Sequence, residues 1–258
     1  MSTVVGVIPA RYASTRLPGK PLVDLLGKTM VERVYLQARR ARLLNRIVVA
    51  TDDARIEQAV RGFGGESVMT PASIRTGSDR VAAVAESIEG DLFVNIQGDE
   101  PLIAPEMIDE GVKVVLEDEQ ADVGTLVRKI SLADDLLNPS IVKVVLRADR
   151  TALYFSRSTI PFIRDESDAR RWLARHTFYK HIGIYVFRRS SLRTYARLPE
   201  SSLERAEKLE QLRLLENGMT VKAGTTEFDS IPIDTSDDVE RVIAILKRTG
   251  ERSPSPIH

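Results

Sequence analysis

The chain has 258 residues with 37 acidic and 37 basic side chains, so its formal net charge is +0. That balance argues against a basic nucleic-acid-binding surface. The absence of cysteine excludes disulfides, thiolate catalysis and cysteine-bound zinc, and it is typical of a reducing compartment. No apolar run has transmembrane length, and the start lacks a signal-peptide pattern. We therefore expect a cytoplasmic protein without a nucleic-acid partner or membrane insertion.

The first half of the chain alternates predicted strands with predicted helices. Apolar, β-branched runs predict strands at residues 4–9, 46–51, 66–69, 92–97 and 122–127. Amphipathic periodicity and capping residues predict helices at residues 30–44, 54–62, 78–87 and 105–117. This alternation predicts an α/β fold with a mostly parallel sheet and right-handed crossovers.

After about residue 137 the regular alternation of strands and helices ends, and shorter elements follow one another. Strands are predicted at residues 141–146, 152–156, 181–187, 221–223 and 228–233. A stripe of apolar side chains predicts one amphipathic helix over residues 201–216, and a closing helix is predicted over 237–248.

The remaining segments are irregular, and no linker divides the chain. The highly charged residues 165–175 predict a mobile loop or a short helix. We expect a single domain over residues 1–250, with the middle section forming a lobe on one core. The tail at 251–258 carries two prolines and is predicted to be disordered.

Three cations, Arg11, Arg16 and Lys20, lie in one short loop directly after the first predicted strand. A basic loop with serine and threonine at this position is where open α/β sheets bind phosphates. The loop lacks the glycines of a P-loop or a dinucleotide fingerprint, and Pro21 stands where a P-loop has its hydroxyl. It would therefore bind a polyphosphate through side chains. The alternative interpretation is an ordinary basic surface loop.

Two acidic residues are candidates for holding Mg²⁺. Asp99 follows a predicted buried strand through a turn at Gly98, and Asp234 follows the predicted strand at 228–233. Mg²⁺ prefers one or two protein carboxylates combined with phosphate oxygens of a substrate. The alternative is that both acids only cap turns or helix N-termini.

Other polar residues have two interpretations each. Ser78 opens a predicted helix and could either bind a nucleotide or cap that helix. His181 is more often structural than catalytic in such a setting. Glu207 and Gln211 share one helix face, which could be solvated or could contact sugar hydroxyls. With no Ser-His-Asp or zinc spacing, cations and carboxylates around phosphate predict phosphoryl or nucleotidyl transfer.

Six motifs in order make the chain similar to a known family. They are IPARYASTRLPGKPL (8–22), VATDD (49–53), NIQGDEP (95–101), ALYFSR (152–157), HIGIY (181–185) and LEQLR (209–213). In these residues the chain resembles the 3-deoxy-manno-octulosonate (Kdo) cytidylyltransferases, or CMP-Kdo synthetases. The resemblance implies a Rossmann-like nucleotide-diphospho-sugar transferase fold, a homodimer, Mg²⁺ dependence and a cytoplasmic step of lipopolysaccharide synthesis. It also implies a nucleotide-binding half near 1–130 and a smaller inserted lobe for sugar binding and dimerisation near 137–217.

The resemblance also implies roles for particular residues. CTP would be bound by Arg11, Lys20, Ser78, Arg80 and Gln97, of which Lys20 and Arg11 would be catalytic. The metal ligands would be Asp99 and Asp234. The Kdo pocket would be lined by Arg157, His181, Tyr185, Glu210 and Gln211.

The implied reaction transfers CMP from CTP to Kdo and releases pyrophosphate. Two alternatives stay open: a cytidylyltransferase for another acid sugar, such as a sialic acid or 8-amino-Kdo, and a nucleotide-binding module without turnover. Retention of Lys20, Asp99 and Asp234 argues against the second.

Overall fold

A mixed β-sheet covered by helices forms the core of the computed structural model, which describes residues 2–13, 16–74, 76–229 and 231–249. The strands among these residues are β1 (Val4–Ala10), β2 (Arg46–Thr51), β3 (Ser67–Met69), β4 (Leu92–Asn95), β5 (Val123–Lys129), β6 (Lys143–Leu146), β7 (Ala152–Ser156), β8 (Tyr179–Arg188) and β9 (Val221–Thr225). The α-helices are α1 (Met30–Ala38), α2 (Ala54–Gly62), α3 (Gly77–Ser87), α4 (Pro105–Glu117), α5 (Ala133–Leu137), α6 (Arg189–Tyr195), α7 (Ser202–Glu207), α8 (Gln211–Glu216) and α9 (Ser236–Thr249).

The central sheet has the strand order β3-β2-β1-β4-β8-β5-β9, and a β6–β7 pair attaches to β8. Strands β1 to β4 pair in parallel, and β9 is parallel to β5. Strand β8 runs antiparallel to both of its neighbours, β4 and β5. The prediction of an α/β fold with a mostly parallel sheet is therefore confirmed, with β8 as its antiparallel member.

Strand β1 is buried on both faces because helices cover the sheet on each side. Alternate residues enter different clusters: Val5 and Val7 join one hydrophobic core, whereas Val4 and Ile8 join the other. A third cluster packs α9 against Leu25, Met30 and Leu102. This third cluster brings the segment before α9 close to the carboxyl ends of β1 and β4.

Three predictions about elements are wrong. Helix α1 ends at Ala38 rather than at residue 44, because Asp109 of α4 accepts the backbone N–H groups of Arg42 and Leu43. The helix predicted over 201–216 is two helices, α7 and α8, separated at Lys208, which has a φ of 54°. No strand forms among the described residues of 228–233.

The other predictions of the second half fare better. Residues 165–175 contain a short 3₁₀ helix, Ala169–Ala174, which agrees with the short-helix alternative. The strand pair forms as β6 and β7, the strand at 181–187 extends to the ten residues of β8, and the closing helix forms as α9. The tail at 251–258 lies outside the described residues.

Candidate active site

The basic loop leaves β1 at Ala10 and ends in a 3₁₀ turn, Lys20–Leu22. Gly19 precedes this turn with a φ of 68°, a left-handed conformation that favours glycine. Its N–H donates to the carbonyl of Tyr12, and its Cα faces the Tyr12 ring so closely that a Cβ would lie 3.3 Å from it. These contacts fold the loop back on itself and direct Lys20 toward the sheet edge. The loop's serine and threonine, residues 14 and 15, lie outside the described residues.

Lys20 is the centre of a charged cluster at this edge. Its Nζ donates to Asp99 Oδ2 at 2.7 Å and to Asp234 Oδ1 at 3.0 Å. Arg16 reaches the same oxygen of Asp234 at 3.0 Å, but its side chain is 66% exposed. The structure thus brings together two of the three loop cations and both predicted metal ligands.

The backbone explains how two acids distant in sequence converge. Asp99 follows β4 through Gly98, where a Cβ would lie 2.4 Å from the carbonyl oxygen of Pro9 in β1. Only glycine allows that close approach. Asp234 is held by an irregular segment rather than by a strand: the N–H of Ile233 donates to the carbonyl of Asp99 at 2.9 Å, and the Ile233 side chain is buried.

The start of α9 fixes Asp234 from the other side. Asp238 Oδ2 accepts the backbone N–H groups of Asp234 and Thr235, at 3.0 and 2.9 Å. These backbone hydrogen bonds, led by that of Asp234, hold the pKa of Asp238 below its usual range. The Asp234 carboxylate is therefore directed toward Lys20 by a rigid turn.

A cavity of about 440 Å³ opens beside this cluster, and Arg11, Arg16, Lys20, Gln97, Asp99 and Asp234 line it. The Arg11 side chain is exposed. Gln97 donates from Nε2 to the carbonyl of Gly183 in β8 at 2.7 Å, so it links the predicted nucleotide side to the antiparallel strand. The cavity combines fixed cations, an amide and two carboxylates, which is the set that a metal–polyphosphate complex needs.

A second polar group lies where α8 meets α3. Glu210, just before α8, accepts from the Ser78 hydroxyl at 2.9 Å, and Asn95 donates to the same hydroxyl at 3.2 Å. Burial raises the pKa of Glu210, although the hydrogen bonds from Ser78 oppose that shift. Gln211 accepts from the Tyr185 hydroxyl at 3.0 Å. The structure therefore brings four of the predicted substrate residues, Ser78, Tyr185, Glu210 and Gln211, to one junction.

His181 lies on β8, between the rings of Phe155 and Tyr185, with centroid distances of 5.0 and 5.3 Å. Its Nε2 is 2.8 Å from the hydroxyl of Thr125, which donates to the carbonyl of Ile184 in β8 at 2.8 Å. Burial lowers the pKa of His181 to about 3. The imidazole is therefore neutral near pH 7 and acts as a hydrogen-bonding group rather than as a cation.

The structure does not bring Arg80 and Arg157 into the cavity at Lys20. Arg80 is fully buried in α3, and its guanidinium donates to the Thr70 hydroxyl and to Asp52. Arg157 donates from Nε to the carbonyl of Glu207 at 2.7 Å. Both guanidiniums contribute to the fold in this state.

Glu207 and Arg213 make contacts that the sequence reasoning did not assign to them. Glu207 accepts from the Ser156 hydroxyl at 2.6 Å and from the Arg157 N–H at 2.9 Å, so it fixes the end of β7. Arg213 forms a two-point ion pair with Glu204 and reaches Asp79 of α3 at 3.1 Å. The signal for Arg213 was its spacing: it lies three residues after Glu210 and faces the same helix, α3.

Among the residues that the structure describes, no group of three or more His, Cys, Asp or Glu side chains could hold a metal ion by itself. Asp99 and Asp234, however, both contact one Lys20 ammonium, so their oxygens converge on a single cationic position. Two carboxylates with an adjacent polyphosphate cavity fit the way Mg²⁺ is bound together with substrate oxygens. No helix within the described ranges has both the length and the apolar character to cross a bilayer.

The sequence and the fold are similar to those of known proteins. A family model described as cytidylyltransferase matches residues 5–222. Proteins named 3-deoxy-manno-octulosonate cytidylyltransferase from Geobacter sulfurreducens and Parabacteroides distasonis are each 50% identical to this chain, over 248 and 252 residues, covering 95% of it and 99% of the relative.

A solved structure agrees with these relatives. The structure of CMP:2-keto-3-deoxy-manno-octonic acid synthetase in complex with CTP superposes with a TM-score of 0.89 at 42% identity, covering 96% of this chain and 99% of that one. A cytidylyltransferase from Leptospira borgpetersenii, 16% identical with a TM-score of 0.60, shares the fold. The chain belongs to the 3-deoxy-manno-octulosonate cytidylyltransferase family of nucleotidyltransferases.

Proposed function

We propose that this protein transfers CMP from CTP to 3-deoxy-manno-octulosonate (Kdo), giving CMP-Kdo and pyrophosphate. The observation that carries the proposal is the convergence of Lys20, Asp99 and Asp234 in one cavity at the carboxyl ends of β1 and β4. The names of the relatives supply the two substrates. In this reaction the anomeric hydroxyl oxygen of the sugar forms a bond to the α-phosphorus, the bond from the α-phosphorus to the bridging oxygen breaks to release pyrophosphate, and the hydroxyl proton passes to water.

The loop cations act on the triphosphate. Arg11 and Lys20 line the cavity and would neutralise charge that develops on the leaving pyrophosphate. Asp99 and Asp234 would hold Mg²⁺ together with phosphate oxygens. The metal would supply charge neutralisation and a lower pKa for the attacking hydroxyl, so the chain needs no separate general base. Gln97, Ser78 and Arg80 are proposed to bind or support the nucleotide.

The acid sugar is assigned to the junction of α8 with α3 and β8. Glu210 and Gln211 offer a carboxylate and an amide, and Tyr185 holds the amide of Gln211. Arg157 and the neutral imidazole of His181 complete the proposed pocket. Because Gln97 bonds to Gly183 of β8, the nucleotide side and the sugar side are joined by one direct hydrogen bond.

Replacement of Lys20 tests the proposal. We expect Lys20→Ala to fold normally and to lose about 10²–10³ in turnover, the usual effect of removing one preorganised charged group. Pyrophosphate release from CTP and Kdo in the presence of Mg²⁺ measures the effect. Arg61→Ala is the control, because Arg61 is a 72%-exposed arginine paired with Glu57 on α2. Near-normal turnover in Lys20→Ala would contradict the proposed site.

The same assay distinguishes the alternatives. A panel of acid sugars, including sialic acid and 8-amino-Kdo, tests whether Kdo gives the highest kcat/KM. Binding of CTP without pyrophosphate release for any sugar would favour a nucleotide-binding module instead.

The proposal also includes a homodimer that acts in the cytoplasm in lipopolysaccharide synthesis. Four large exposed apolar side chains support an association surface in residues 132–162, here called the middle segment: Leu132, Leu137, Leu153 and Phe162. We likewise propose the division into a nucleotide-binding half and a lobe for sugar binding and dimerisation.

A further inference from the structure

The ammonium of Lys20 already occupies the point on which the two proposed metal ligands converge. It contacts Asp99 Oδ2 at 2.7 Å and Asp234 Oδ1 at 3.0 Å, and the Lys20 side chain is only 15% exposed. The two carboxylates are about a third exposed, at 31% and 38%. Lys20 is therefore the least solvated member of the cluster and its shared counter-ion.

A divalent cation that used both carboxylates would compete with Lys20 for the same oxygens. Two cations held by one pair of carboxylates repel each other, and the repulsion is strong where little water separates them. Resting on the proposed function, we infer that Lys20 takes the place of the metal in the free protein. The metal then binds tightly only when a nucleotide triphosphate gives Lys20 other oxygens to contact.

This exchange gives Lys20 two successive partners. Before nucleotide binding it neutralises Asp99 and Asp234, which would otherwise repel each other at the cavity wall. After nucleotide binding it contacts phosphate, and both carboxylates are released at the same moment. Metal and CTP are thus required to bind cooperatively, because the phosphates remove the cation that blocks the metal ligands.

Arg16 provides a matched comparison within the same cluster. It carries the same charge and contacts Asp234 Oδ1 at 3.0 Å, yet its side chain is 66% exposed. Its ion pair is with Asp234, whereas Lys20 bridges Asp234 and Asp99. An exposed pair of this kind contributes little, so its removal should barely change metal affinity.

The experiment measures Mn²⁺ binding by the electron paramagnetic resonance signal of free Mn²⁺, at fixed ionic strength and without nucleotide. We expect Lys20→Met to bind Mn²⁺ at least about tenfold more tightly than the wild type, since a contacting charge shifts such equilibria by about one to three powers of ten. Arg16→Met should change the affinity by less than about threefold. Adding CTP should tighten Mn²⁺ binding in the wild type and much less in Lys20→Met. Lys20→Gln serves as a second variant, with circular dichroism to verify folding.

Two outcomes would overturn the inference: no gain in affinity in either Lys20 variant, or an equal gain in Arg16→Met. The gain should disappear in the double variant Lys20→Met with Asp99→Asn if the metal uses the proposed ligand. Failure of the proposed function has a different signature. In that case CTP would cause no additional Mn²⁺ binding in the wild type, or the additional binding would be the same in Asp99→Asn.

Discussion

The side chains of this site differ in whether burial or ion pairing dominates their surroundings. Glu210 and His181 lie on neighbouring elements, and burial shifts both toward the neutral form: the pKa of the acid is raised and that of the base is lowered. Lys20, by contrast, lies between two carboxylates, with its Nζ 2.7 Å from Asp99 and 3.0 Å from Asp234. Burial thus dominates at Glu210 and His181, whereas ion pairs dominate at Lys20.

His181 makes the stability of the protein depend on pH. The unfolded chain binds a proton on this residue below its ordinary pKa of 6.5, whereas the folded protein resists protonation down to about 3. The unfolded state binds more protons in that window, so stability falls as the pH decreases from 6.5 toward 3. One proton contributes at most about 1.4 kcal/mol per pH unit.

The free energy of unfolding should fall when the pH is lowered from 7 to 5, because of His181. We expect this fall to be about 2 kcal/mol smaller in His181→Asn than in the wild type. Urea unfolding at both pH values measures it. Glu210 contributes with the opposite sign because its pKa is raised, but it is present in both proteins and cancels in the difference. Equal pH dependence in the two proteins would mean that His181 is solvated.

At the scale of elements, close backbone approach positions the Asp99 carboxylate. The turn after β4 passes so near β1 that a Cβ on residue 98 would lie 2.4 Å from the Pro9 carbonyl oxygen. That oxygen belongs to the backbone and cannot rotate away as a flexible side chain could. The distance between the loop containing Lys20 and the loop containing Asp99 can therefore be this short only because residue 98 has no Cβ.

Gly98→Ala should lower the free energy of unfolding by about 1–3 kcal/mol, because the two strand ends must separate to admit the methyl group. Gly62→Ala is the matched control: it ends α2, and a Cβ there meets nothing within 4 Å. Alanine at that position should be neutral or stabilising by about 0.5 kcal/mol, since alanine favours the helix. Urea denaturation compares the two. Equal effects would show that the approach at Gly98 is easily relaxed.

The elements that sequence reasoning predicted correctly are those whose local pattern and tertiary environment agree. Strands β1, β2 and β4 are continuous apolar runs, and both faces of each are covered. The break at Lys208 could not be predicted from the unbroken leucine stripe, because its cause is distant: Arg157 donates to the Glu207 carbonyl that a continuous helix would use itself.

In the site, too, some features could be predicted from the sequence and others depend on distant contacts. The family resemblance implied that Lys20, Asp99 and Asp234 belong to one site, and the structure brings them into contact. The contact of Arg80 with Asp52, by contrast, depends on how α3 packs beside β2, which residue types alone do not reveal. The roles assigned to individual residues stay predictions until the variants are measured.

At the scale of the whole molecule, four of the seven large exposed apolar side chains in the described ranges lie in the middle segment, residues 132–162. Phe162 is 74% exposed, the most exposed large apolar residue within the described ranges, and it packs edge-on against Trp172 at 5.0 Å. A monomer would leave this surface in water. The proposed homodimer would cover it.

We expect light scattering to give twice the mass of one chain for the wild type and a shift toward one chain for Phe162→Glu, because the carboxylate would be desolvated at the interface. Met69→Glu is the control, since Met69 is 49% exposed on β3, outside the middle segment. A wild-type monomer would contradict the dimer. A dimer that tolerates Phe162→Glu would place the interface elsewhere.

The antiparallel strand β8 has a consequence for the order in which the protein can be made. Residues 179–188 pair on one side with β4 and on the other with β5, both of which are synthesised much earlier. Until β8 emerges from the ribosome, these two strands present unpaired edges to their surroundings. The central sheet can therefore close only after residue 188 has been synthesised, and β4 and β5 keep unpaired edges until then.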